Sequence, residues 1–447
     1  MTTEGPPHGF TLVALSMAVG FMILVTRHKQ KNSPQRIATE TSAEFLQSQQ
    51  VFLRAYLLAL LSEWMQQAYL VMLLHFYGRS PSEIALIWLV GAASQHAFSF
   101  LLELAGGAVS KRSRCLACVV MQGCSSFLLL HPAHGGLVFS RIVGGLATCL
   151  LQSAFEGYMS EDHLHQAFPQ EWLYDTFNLL TNSMAVAAVA GGILSQALLT
   201  TAGWSAPMTL AATGAAANTL LIGATWRTGP GKSFPRWQDN SRLLTTAVAS
   251  VAATPKIAQV ALLQGLVESA MIVFSFAWTP LVLPSYSDLA LPATIEERPP
   301  YGLIFAQFML CVLIGSFCFK LLSERFSPER LMHGALITAM LAFVGIGLNT
   351  NGMGSWIGCL VFEVAMGCYL SCVGHYKGKY IPQDVRGVVV TASRLLVSLP
   401  SLGALVMVAE SRPAVTFGCA LLVFGALVCH TRLMASAARE EEPEELI

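Results

Sequence analysis

Apolar stretches of about 20 residues, the length a helix needs to cross bilayer hydrocarbon, recur along the whole chain and constrain its fold more than any other feature. They run over 9–26, 54–77, 83–106, 115–130, 136–158, 177–199 and 207–226, then over 256–283, 301–322, 332–348, 355–374, 385–408 and 414–430. That is about 13 candidate spans by hydropathy. Composition agrees. Only 12% of the residues are charged and 54% are hydrophobic. A soluble domain carries about 25% charged residues, so this chain has too few to cover a surface facing water. The fold class expected is an all-α multi-pass membrane protein solvated by the lipid bilayer.

The basic residues of the first span follow it (RHKQK, Arg27–Lys31), and no small-residue cleavage site is evident. It reads as a retained anchor with its N-terminus outside. Alternating from there, the cytoplasmic connections hold about 20 of the 26 Lys and Arg, which supports both count and orientation. Ser160–Asp175, with no Lys or Arg, is the exception. The formal net charge is zero, so nothing points to nucleic acid. Most of the 11 cysteines lie inside apolar segments and act as small hydrophobes. Cys115 and Cys118 lack a second Cys/His pair nearby, so no metal or other cofactor is expected. The REEEPEELI tail reads as disordered.

A repeat runs through the set. Glu63 and Glu268 each sit in the first span of a half, and Glu156 and Glu363 each sit in the fourth, both pairs about 205 residues apart, as in parallel transporter repeats. Arg141 and Arg394 also lie inside spans. An ionised group at the bilayer centre costs about 2.5–3.5 kcal/mol, so these six side chains should face a polar interior. Arg141 and Glu156 are 15 residues apart, roughly 22 Å along a helix, too far to pair with each other. Each could be locked in a structural salt bridge, or the acids could alternate between protonated and charged forms.

Several blocks closely resemble the molybdate-anion transporters of the major facilitator superfamily. They are SEWMQQAYL, FSRIVGGLATCLLQSAFEGY, FPQEWLYDTF, LLQGLVESAMIVFSFAWTPLVL and YGLIFAQFML, in matching order from about Val51 to His430. The resemblance implies a major facilitator fold, a plasma-membrane location and uptake of molybdate; this chain is as readily a paralogue. Its six intramembrane charges fall where the family has acids and arginines. One departure is the turn GAVSKR, where Gly107 and Ser110 stand at the Asp and Gly places of the superfamily pattern. That loss puts the balance of conformations in question.

The expected architecture is two six-helix bundles, 51–226 and 256–432, joined by a cytoplasmic linker over 227–255. Before them stand an extra N-terminal transmembrane helix and basic segment over 1–50; behind them, an acidic tail over 433–447. Molybdate is a tetrahedral dianion, and Arg suits such oxyanions through its forked donors. Arg141 and Arg394 are therefore the candidate clamp, with Gln66 and Tyr69 as neutral donors on the face of Glu63. Glu63, Glu156, Glu268 and Glu363 are the candidates for proton coupling or gating. A carrier for another small organic solute, and a non-transporting scaffold or sensor, remain alternatives. No enzyme is expected. GPGKS (Gly229–Ser233) has Trp226 where a phosphate-binding loop needs glycine, and His163 and His165 lack a metal-binding frame. The expectation is a monomer.

Overall fold

The structure is a computed structural model that describes residues 43–105, 109–226, 237–282, 300–349, 352–406 and 411–441. The first apolar span, RHKQK, Gly107, GPGKS and the end of the acidic tail lie outside these residues. All elements among the described residues are helical: α1 (Ala43–Phe76), α2 (Pro81–Leu104), α3 (Lys111–Leu128), α4 (His134–His165), α5 (Gln170–Ala202), α6 (Ala206–Thr225) and α7 (Trp237–Ala253). There follow α8 (Pro255–Val282), α9 (Tyr301–Leu322), α10 (Pro328–Leu348), α11 (Gly352–Tyr380), α12 (Arg386–Ser393), a π-segment (Arg394–Ser398), α13 (Leu399–Val406) and α14 (Arg412–Glu441).

Among the described residues, 10 helices are long and apolar enough to cross a membrane. The expected spans at 115–130 and 207–226 are also helical, as α3 and α6, but are not among those 10. The stretch 160–165, expected as part of a connection, continues α4. Residues 237–253, expected within a linker, form the largely exposed helix α7, whose Asp239 suits the positive end of the helix dipole.

Local chemistry sets several helix starts. Ser80 caps α2 in a capping box: the Glu83 amide donates to Ser80 Oγ at 3.3 Å, and the Ser80 amide donates to Glu83 Oε2 at 2.9 Å. Pro81 follows at a position where no intrahelical N–H is needed. Ser110, at the glycine place of the superfamily turn, instead caps α3 by accepting from the Ser113 amide at 3.3 Å. Arg112 Nη2 donates to the Gly223 carbonyl at 2.7 Å, satisfying an orphan acceptor at the end of α6.

The described chain packs as two compact units. The first comprises 43–77, 109–226 and 300–310; the second comprises 78–105, 237–282, 311–349, 352–406 and 411–441. In the first, α3 packs on α4 and α6, and α1 packs on α5 and α6. Its core includes Phe52, Tyr56, Phe155, Tyr158 and Trp226, with Tyr158 stacked on Trp226 at 4.0 Å between ring centroids. In the second, α8 packs on α14 and α11, and α10 packs on α11 and α14. Helix α2 lies against α8, α12 and α13.

Glycine permits one very close approach in the second unit. A Cβ on Gly315 of α9 would lie 2.9 Å from the carbonyl carbon of Val364, and one on Gly367 of α11 would lie 2.8 Å from that of Val312. Small residues on both faces thus bring two helix backbones together, as in membrane helix pairs generally.

Candidate functional site

In the first unit the polar centre grows from Glu63 on α1. Its Oε1 accepts from Gln67 Nε2 at 3.2 Å and from Thr148 Oγ1 at 2.9 Å, and its Oε2 accepts from Gln122 Nε2 at 3.4 Å. Arg141 and Thr148 are 7 residues apart on α4, two turns, and so share one face. Arg141 is buried at 9% exposure, and Glu63 is the carboxylate that acts electrostatically on it. Gly144, between them on that face, leaves room: a Cβ there would lie 2.9 Å from Ser125 Oγ and 3.6 Å from Arg141 Nη1.

Gln66 and Tyr69 are engaged within the protein. Gln66 Nε2 donates to the Ser62 carbonyl of its own helix at 2.9 Å. The Tyr69 hydroxyl donates to Gln196 Oε1 of α5, and the Gly302 amide in the first turn of α9 donates to both, at 3.1 and 3.2 Å. A Cβ on Gly302 would lie 2.9 Å from Gln196 Cβ, so only glycine lets α9 start this close to α5. Glu156 stands exposed on α4, within electrostatic reach of Tyr56.

In the second unit Glu268 of α8 and Arg394 of the π-segment form a forked ion pair. Arg394 Nε donates to Glu268 Oε2 at 2.8 Å and Nη2 donates to Oε1 at 3.0 Å. Gln264, one turn earlier on α8, donates to Glu268 Oε1 at 2.7 Å. The π-turn aims the arginine. The Leu399 amide donates to the Arg394 carbonyl five residues back, and Ser398 donates to the Gly265 carbonyl at 3.0 Å. Arg394 and Ser398 thereby both face α8.

Glu363 of α11 is set differently. It is 8% exposed, and no hydrogen bond or ion pair joins it to another described residue. Of the two matched acid pairs, Glu63 and Glu268 therefore resemble each other: each is hydrogen-bonded by a glutamine, and each interacts electrostatically with an arginine, Glu268 through a forked ion pair. Glu156 and Glu363 do not: one is exposed and the other buried.

Further polar side chains emerge that were not singled out from the sequence: Gln122, Thr148, Gln196 and Gln264, together with His96 of α2 and Tyr369 of α11, both within electrostatic reach of Glu268 and Arg394. Their signal was uncharged polarity inside apolar spans, weaker than that of a full charge. A separate recess in the first unit, lined by Phe45, Ser48, Asp162, His163, Phe168 and Thr176, includes none of the candidate site residues. In it Asp162 accepts from Ser48 at 3.0 Å and from Gln166 at 2.6 Å.

A family model of the major facilitator type, described as sugar transporters with 12 TM, matches residues 10–363. The chain belongs to this major facilitator family. It is accordingly a multi-pass membrane transporter of the major facilitator type. This family member is 26% identical over 392 residues to a protein named molybdate-anion transporter from Danio rerio, covering 80% of this chain and 79% of that one. To the protein of the same name from Xenopus tropicalis it is 24% identical over 414 residues, covering 89% and 88%. Among solved structures it is similar to a POT family transporter in complex with a thioalcohol-conjugated peptide, with a TM-score of 0.69 at 14% identity, covering 89% of this chain and 97% of that one. It is also similar to the nucleoside transporter NupG, with a TM-score of 0.61 at 12% identity, covering 86% and 98%. At such identities the structural likeness concerns the fold alone.

Proposed function

We propose that this protein is a secondary active transporter that takes up an oxyanion, molybdate, across the plasma membrane by alternating access with proton coupling. The halves that move are the six-helix bundles over 51–226 and 256–432. The relatives named molybdate-anion transporter supply the substrate class. The observation that carries the reading is the forked Glu268–Arg394 pair, with Arg141 within electrostatic reach of Glu63 in the other unit. A dehydrated site for a dianion needs positive charge and oriented donors. An arginine resting on a carboxylate meets that need without standing as a bare charge in the empty protein, since an unpaired buried charge is costly. Substrate oxygens then take over part of the guanidinium fork. A proton taken up on an acid such as Glu63 or Glu268 offsets negative charge as the dianion enters.

The test is uptake of labelled molybdate into cells or proteoliposomes. Arg141→Ala and Arg394→Ala should each lower the rate by about tenfold or more, the loss of a charge-assisted contact. Unchanged rates in both variants remove the clamp; no uptake by the parent protein removes the transport reading.

A further inference from the structure

The Glu268–Arg394 pair is flanked by hydrogen-bonding groups that the protein leaves unused. His96 of α2 is 3% exposed, and neither Nδ1 nor Nε2 has a hydrogen-bond partner among the described residues. Tyr369 of α11 is 1% exposed and its hydroxyl is likewise unpartnered among them. A fourth such atom is Oε1 of Gln264, whose amide nitrogen already donates to Glu268. Helices α2 and α11 both pack on α8, the helix of Glu268, and Glu268 and Arg394 act electrostatically on both His96 and Tyr369, so unused groups from two helices lie within electrostatic reach of one ion pair in the second unit.

Buried polar atoms in folded proteins are nearly always partnered, and each bare one lowers stability. Several of them around a single charged pair mark a place whose partners arrive with a ligand. The local charge selects the sign of that ligand. Arg394 and Lys377, which Glu268 and Arg394 also influence, outnumber the single carboxylate, so an anion is favoured over a cation. The donor types select its shape. A guanidinium fork, a phenolic O–H and an imidazole N–H from three separate elements suit an acceptor with oxygens pointing in several directions.

We propose that His96 and Tyr369 are substrate-binding residues that, together with Arg394, form a recognition site for a tetrahedral oxyanion in the second unit. This rests on the oxyanion reading above and deepens it. Arg394 is kept aimed by Glu268 while the site is empty. The substrate takes its remaining hydrogen bonds from the Tyr369 hydroxyl and from one His96 nitrogen, neither of which has to break an existing bond to give them.

Calorimetric titration of molybdate, sulfate and phosphate onto the purified full-length protein tests this, with the melting temperature of each empty variant measured in parallel. Tyr369→Phe and His96→Leu should each weaken molybdate binding by about tenfold or more, and His96→Gln, which keeps an N–H donor, should recover part of that loss. The empty variants should melt at or above the parent temperature, because neither side chain makes a hydrogen bond that could be lost. Lower melting temperatures with parental affinity would mean a structural role and overturn the proposal. Parental affinity with unchanged melting would place the site elsewhere and overturn it too, while leaving the oxyanion reading intact. A parent protein that binds none of the three anions removes the oxyanion reading, and this inference with it.

Discussion

Glu268 and Arg394 show what a charge inside an apolar helix requires. Each was expected to face a polar interior, and each does so through the other. Removing one partner of a buried pair costs about 3–5 kcal/mol, because the survivor is left unpaired. The two side chains here keep 19% and 23% exposure, so a smaller figure applies. Glu268→Gln should destabilise the detergent-solubilised protein by about 2 kcal/mol in thermal unfolding, and adding Arg394→Gln should recover part of the loss. A double variant that loses the full sum of the single losses would show that the pair is not coupled. Glu363 behaves otherwise. Its match to Glu156 in the repeat gave no sign that it would be buried without a partner, since partners come from other elements and not from its own sequence neighbours.

At the level of elements, the helix carrying Arg394 has a feature that hydropathy does not register. A π-turn inserts one residue relative to an α-helix, so Arg394 and Ser398 can both reach α8. Leu396 lies in this turn at 76% exposure and packs against little. Deleting it should restore α-helical pairing and rotate one side of the turn by roughly 100° against the other. The variant should still fold, with uptake reduced by about tenfold or more through loss of the charge-assisted pair. Near-normal uptake would mean the turn has no part in positioning Arg394. The altered superfamily turn is explained at the same scale: Ser110 and Arg112 serve helix ends, Ser110 at the start of α3 and Arg112 at the end of α6.

For the whole molecule, transport can be checked by competition. Molybdate and sulfate are tetrahedral dianions of similar size, and a site reading charge and oxygen geometry discriminates between them weakly. Unlabelled sulfate should therefore compete for labelled molybdate uptake within about tenfold of molybdate itself. Competition by neutral sugars in its place would favour a different solute. The sequence by itself determined the membrane class, the helical character of its apolar segments and the need to shelter charges placed inside them. Those follow from local hydropathy and from the cost of burying charge, which depend on residue type and order alone. The tertiary structure decided which charges meet: Arg394 with Glu268, Arg141 near Glu63, and Glu363 with neither. It also brought His96 and Tyr369, 273 positions apart in the chain, within electrostatic reach of the ion pair. Such proximity is set by how helices cross, where glycines allow close approach and where a π-turn redirects a face, and no local pattern encodes it.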